Sequence, residues 1–162
     1  MRLPYTRVQL KHLSYLLNQT NYNFDNNFTG SLPDLIVVGL LDDADFAGGY
    51  QQNLFNFQNF SVNPIELRRN GTPVLRSSYT PNFAYCQYIK DYEAMQKQLE
   101  FGKSYKCVNL TLTYWANGYR FNAFKITGRP ICSNTESPPS RPTTGLIRLE
   151  VCFAPRKTTT LK

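Results

Sequence analysis

The stretch from residue 34 to residue 60 constrains the fold more than any other. Leu35-Ile36-Val37-Val38-Gly39-Leu40-Leu41 is an apolar run of strand length, followed by Asp42-Asp43-Ala44-Asp45 and then by Gly48-Gly49. A run that is apolar on both faces belongs to a central sandwich strand covered on each side, or to a strand near an interface. Phe46, Tyr50, Phe55, Phe57 and Phe60 follow at short intervals. Rings this close can pack into a core or subunit interface, or offer stacking faces to bases or sugars. Few cationic residues interleave with them, and this favours packing.

The rest of the composition agrees with a β-rich chain. At 162 residues it has the length of one domain, and 11 tyrosines with 11 phenylalanines favour strands over helices. No apolar run reaches the roughly 18 residues of a membrane helix. The first residues are basic but lack an apolar segment behind them, because Gln9, Lys11 and His12 interrupt it, so no signal peptide is read. Asn-x-Ser/Thr triplets beginning at Asn18, Asn27, Asn59, Asn70 and Asn109 are therefore discounted as glycosylation sites. Cys86, Cys107, Cys132 and Cys152 contain no Cys-x-x-Cys pair, which favours buried free thiols over a zinc or redox motif. The net charge of +7 permits contact with nucleic acid without demanding it, since the only clusters are Arg68-Arg69 and Arg156-Lys157 with Lys162.

In chain order, Val8 and Leu10 alternate with Arg7, Gln9 and Lys11 as in a strand with one wet face, and the phase slips near His12 and Leu13. Residues 18–30 read as an Asn-rich loop pinned by Phe24 and Phe28. A strand is expected from about Phe57 to Arg68, with Phe60, Val62, Ile65 and Leu67 inward around a break at Pro64. Arg69-Asn70-Gly71-Thr72 is a hairpin turn, because Asn-Gly supplies the positive φ angles of a two-residue connection, and Val74 and Leu75 start the return. Tyr85, Tyr88, Ile89, Tyr92, Met95 and Leu99 recur at helical spacing, predicting one amphipathic helix over about 84–101 that Asn82 caps and Gly102 ends. Residues 105–115 alternate as a strand through Val108, Leu110 and Leu112. Asn117-Gly118 turns into another strand at 119–126. Residues 129–144 hold four prolines and read as an exposed loop. Ile147, Leu149 and Val151 alternate with Leu146, Arg148 and Glu150 in a final strand to Phe153, and 156–162 is a flexible tail.

Nothing in the chain assembles a catalytic set. His12 is the only histidine and sits beside Lys11 in the expected first strand, with no nucleophile motif to serve, so it reads as structural. Asp43-Ala44-Asp45 begins like a calcium loop, but Ala47 and Leu54 occupy positions where oxygen ligands are needed, so a turn whose Asp side chains bond local amides is preferred. Gly48-Gly49 lacks the pattern of a phosphate cradle. No enzyme, cofactor or metal is expected.

The segment Leu35-Ile36-Val37-Val38-Gly39-Leu40 through Asp45-Phe46, Gly49-Tyr50 and Asn53-Leu54-Phe55-Asn56-Phe57 resembles a block in capsid-type proteins of Polinton (Maverick) elements and adintovirus-like genomes. Those proteins carry an Asn-Pro-Phe-Asn-Phe motif there, and Leu54 replaces its proline. Leu32-Pro33, Gly71-Thr72-Pro73-Val74, Pro81-Asn82-Phe83, Gly118-Tyr119, Leu146-Ile147-Arg148-Leu149-Glu150 and Phe153-Ala154 match in order, so the likeness covers most of the chain.

The resemblance implies a jelly-roll β-sandwich with one helix, the later jelly roll of a hexon-like double jelly-roll major capsid protein and so a fragment of a longer one. It further implies a structural role, with copies of itself in trimeric capsomers and other capsid proteins as partners. The place would be a virion or virus-like particle, and the interior of the host cell during assembly. The alternative is a jelly-roll module that recognises a glycan or a protein through loop aromatics such as Tyr50 and Trp115.

Overall fold

The computed structural model describes residues 7–14, 20–25, 32–100, 110–126 and 145–153. In order these hold β1 (Asn21–Asp25), β2 (Leu35–Gly39), α1 (Asp43–Ala47), β3 (Val62–Arg69), β4 (Thr72–Pro73), α2 (Ile89–Gln98), α3 (Leu112–Ala116), β5 (Phe121–Lys125) and β6 (Ile147–Phe153). The protein is mainly β. One antiparallel sheet has the order β1-β6-β3-β4 and a second pairs β2 with β5.

Simple alternation builds the larger sheet. Ile147, Leu149 and Val151 of β6 and Val62, Ile65 and Leu67 of β3 all point inward and are buried, each fully buried aliphatic side chain contributing about 1.5–3 kcal/mol. The register of β3 against β6 shifts between Val62 and Ile65, so the break expected at Pro64 is a bulge that returns Ile65 to the core face. On the wet face Glu66 lies opposite Glu150, and Arg68 opposite Arg148. The like charges are offset by neighbours. Arg68 Nε is 3.0 Å from Glu66 and 3.3 Å from Glu150, in ion-pair range although its N–H is aimed at neither oxygen, and Arg148 bonds Asp25 on β1. Asn70 (φ 49°) and Gly71 (φ 81°) make the expected hairpin turn into β4.

The two sheets pack face to face through Tyr79. Its backbone exchanges hydrogen bonds with Ile65 of β3, at 2.9 and 3.1 Å. Its ring meets Phe124 of β5 edge-on at 5.2 Å, and its hydroxyl donates to the carbonyl of Ala123 at 2.7 Å. Burial pushes that phenol's pKa well above its ordinary value, with the nearby Asp91 charge adding to the shift.

Several expectations are corrected. Residues 7–14 form no strand and run exposed, because alternation alone does not make a strand where no ladder of backbone bonds forms. The Asn-rich segment does contain a strand, β1, because β6 supplies an edge, and Phe24 packs on the core; Phe28 lies outside the described residues. β2 is not a central strand among the described residues, since it pairs with β5 alone.

The helix is shorter than its periodicity. Asn82 and Gln87 exchange backbone hydrogen bonds around a tight turn, so Asn82 accepts from Tyr85 N–H there instead of capping α2. Glu100, at φ 56°, takes the left-handed position after the helix; Gly102 lies outside the described residues. Leu112–Ala116 is a single helical turn where a strand was expected, begun by Thr111, whose hydroxyl accepts from Tyr114 N–H at 3.3 Å. Residues 105–109 of that expected strand lie outside the described residues, as do the 129–144 loop and the 156–162 tail. Cys86 is free but exposed and Cys152 half-buried, and Cys107 and Cys132 lie outside the described residues.

Candidate interaction surface

Between β2 and β3 the chain makes a corner, residues 40–60, that carries the aromatic series. Its conformation follows from a few local bonds. Asp42 caps α1 by accepting from Ala44 N–H at 3.4 Å, as read from the acidic turn. Asp45 accepts from the amide of Asn56 at 3.1 Å, tying the start of the corner to its end. Among the described residues no cluster of acidic, histidine or cysteine side chains is arranged to hold a metal ion.

The far end of the corner is set by two glycines. Gly39 leaves a bare patch on β2 where the Phe57 ring lies, and a Cβ there would sit 2.7 Å from it. Gly118, at φ 127°, lets Asn56 approach, and a Cβ there would stand 2.9 Å from its side-chain oxygen. The 57–58 peptide then wedges between the sheet strands where they splay. Gln58 N–H donates to Leu40 and Arg120 N–H donates to Phe57, both at 3.0 Å. These contacts explain why Gly39, Asn56, Phe57 and Gly118 occur together in one sequence.

Exposure then grades along the aromatic series. Phe57 and Phe60 are half-buried, and Phe60 packs on the core. Phe46 is 50% exposed, Phe55 67%, and Tyr50 stands wholly in solvent. Leu54 is also exposed. Three rings and a leucine thus face outward from a braced loop. His12 is exposed as well and stacks on Phe46 at 5.1 Å.

Beneath the corner lies an anchor that sequence reasoning missed. Arg120 is 2% exposed, its guanidinium 4.6 Å from the Phe83 ring centre and 5.7 Å from that of Trp115. Nη1 donates to the carbonyl of Asn59 at 3.0 Å, holding the end of the corner down, while Nε and Nη2 are buried without a hydrogen-bond partner. Burial lowers the pKa of Arg120 to about 10, against a raising influence from Asp91. Asp91, also buried, is pushed above its ordinary value by desolvation, partly offset by the hydrogen bond from Thr80 N–H and by the Arg120 charge. The two charges compensate each other at a distance, without a direct ion pair between them, and the aromatic faces supply the rest. The signal available was an arginine two residues after an Asn-Gly turn; nothing in its neighbours announced burial.

Trp115 is fully buried among Phe83, Tyr88 and Tyr92, and its indole N–H donates to Phe121 at 3.0 Å. It has no free face for a ligand, so the loop role considered for it is corrected. Two shallow hollows flank these elements: one of about 220 Å³ beside Asn56, Asn59 and Asn117, the other of about 400 Å³ beside Arg69, Pro73 and Lys125. Both have polar linings, unlike the mostly apolar pockets that hold small molecules. No helix among the described residues is long and apolar enough to cross a membrane. No family model, no curated protein and no solved structure matches the chain.

Proposed function

We propose that this is a structural capsid-type protein, a jelly-roll subunit that assembles with copies of itself into capsomers of a virus or a virus-like transposable element such as a Polinton. The observation that carries the reading is the outward corner of Phe46, Tyr50, Leu54 and Phe55 on a braced loop. Exposed aromatic and aliphatic groups held rigid are what an assembly interface uses, because their burial against a neighbour releases water at little entropic cost. The resemblance of this same block to capsid-type proteins supports the reading independently. Trimeric capsomers, other capsid proteins as neighbours, and location in a particle belong to the proposal. The role is non-enzymatic.

Light scattering and negative-stain microscopy of the purified chain test it. Association into trimers or larger particles is expected, and Tyr50→Ala with Phe55→Ser should abolish it without lowering the melting temperature. A wild-type monomer at every concentration would refute the reading. The exposed Tyr50 and Phe55 rings also favour a second reading, recognition of a glycan or a protein segment by the corner. Saturable binding on a glycan array, lost in Tyr50→Ala, would favour it over assembly.

A further inference from the structure

We infer that the hollow beside Asn56, Gln58, Asn59 and Asn117 seats one ring of a neutral glycan, an inference that rests on the glycan form of the second reading. Two segments far apart in sequence build it, 56–59 at the end of the corner and 116–118 at the end of α3. Both are fixed from behind. Gln58 N–H donates to Leu40 and the carbonyl of Asn59 accepts from Arg120, while Asn117 N–H donates to the carbonyls of Thr113 and Tyr114 at 3.1 and 3.2 Å. Gly118 lets the two segments meet, since a Cβ there would stand against the Asn56 side-chain oxygen.

The amides of the hollow divide into two kinds. Asn56 and Asn59 are partly used by the fold: Asn56 donates to Asp45 at 3.1 Å, and the Asn59 side-chain oxygen accepts from Ser61 N–H at 3.2 Å. Gln58 and Asn117 are exposed, and neither side chain makes a hydrogen bond among the described residues. Amides thus line a space of about 220 Å³, and Gln58 and Asn117 keep both carbonyl and amino groups open to a ligand.

The chemistry of the lining selects the ligand class. No charged side chain belongs to it. Asp45 is turned to the Asn56 amide, and the Arg120 guanidinium is buried behind Asn59. An anion calls for a cationic partner, and an apolar molecule calls for apolar walls. An amide sets a donor beside an acceptor, which matches a pair of neighbouring hydroxyls, each of them donor and acceptor. A neutral sugar presents such pairs around one ring, and its C–H face stacks on aromatic side chains. Phe55 precedes Asn56 and Tyr119 follows Gly118, so both walls run on into exposed rings, and Tyr119 meets the exposed Tyr114 edge-on at 6.1 Å. The other hollow, with Arg69 and Lys125 in its lining, lacks this neutrality.

The full-length chain is applied to an array of neutral, sialylated and sulfated glycans, and the neutral oligosaccharide bound best is titrated by calorimetry into wild type and variants. Gln58→Ala with Asn117→Ala is expected to weaken binding about tenfold at an unchanged melting temperature, since neither side chain is bonded to the protein. Asn117→Asp, of the same shape but without the amide donor, should weaken it as well, so the answer does not depend on the stability of the double variant. Equal affinity in these variants overturns the inference, and loss in Tyr50→Ala alone would then leave recognition by the corner standing. Tighter binding of sialylated or sulfated glycans than of their neutral parents overturns the ligand class. A wild-type chain that binds no arrayed glycan overturns the inference together with the glycan form of the second reading, while the assembly reading keeps its own light-scattering test.

Discussion

The two sheets are held by different means. The four-stranded sheet rests on aliphatic alternation: Val62, Ile65 and Leu67 against Ile147, Leu149 and Val151, all buried, with a charged wet face. The region around the two-stranded sheet is held by single polar and aromatic contacts: Tyr79 to Ala123 and Arg120 to Asn59 from distant segments, and Trp115 to Phe121 across a turn. The first kind of stability is spread over many interchangeable methyl groups, the second concentrated in a few side chains that nothing else can replace. Outward-facing rings sit over the second region, because rigid anchors below allow apolar groups to be held in water above.

The contrast can be broken most directly at Trp115. Trp115→Ala should cost about 4 kcal/mol, read as a fall in the urea midpoint. A loss no larger than that of an Ile→Val change in β3, about 1 kcal/mol, would show that the aromatic anchor is no more critical than the aliphatic sheet. Arg120→Ala should cost about 3 kcal/mol by leaving Asp91 buried without its compensating charge. Adding Asp91→Asn to it should recover part of the loss in the same denaturation measurement. If the double variant is as unstable as the two single losses summed, the long-range compensation is absent.

The pH dependence sharpens the same point. Desolvation raises the Asp91 pKa above its ordinary value of 3.8, so the folded state holds that proton more tightly than the unfolded chain does. Its contribution to stability is therefore present below pH 3.8 and lost as pH rises through the folded value. The stability of wild type relative to Asp91→Asn should fall across that window in paired urea titrations, and a flat difference would contradict it. Gly39→Val should cost about 1–3 kcal/mol by displacing the Phe57 ring, and should raise protease cleavage within residues 40–60. The smallest effect is expected at Phe55→Ser, within about 0.5 kcal/mol in stability, while its effect on association should be complete.

Legibility followed the same division. The strand β6, the Asn70-Gly71 turn and the body of β3 are readable, because each depends on neighbours in sequence or on a period of two; β3 starts at Val62 and not at Phe57, and the acidic stretch read as a turn is the short helix α1 with Asp42 at its cap. The helix was found but overextended: Tyr85 and Ile89 share its spacing, yet both are exposed, and the turn closed between Asn82 and Gln87 forced a later start. The strand expected to end at Trp115 became a helical turn because burying the indole among three rings outweighs a local β preference. Phe46, Tyr50, Phe55, Phe57 and Phe60 stand out together in the sequence, but periodicity could not sort outward rings from half-buried ones, since exposure in an irregular corner depends on what lies beneath it.

By itself, the sequence determined the β class, the inward faces of the long strands and the place of the tight turns, since these arise from residue chemistry repeated at fixed spacing. Only the tertiary structure decided that Arg120 would be buried, that Gly39 would receive Phe57, and that residues 7–14 would join neither sheet. Each of these depends on groups far apart in the chain meeting or failing to meet, and no local pattern records such a meeting.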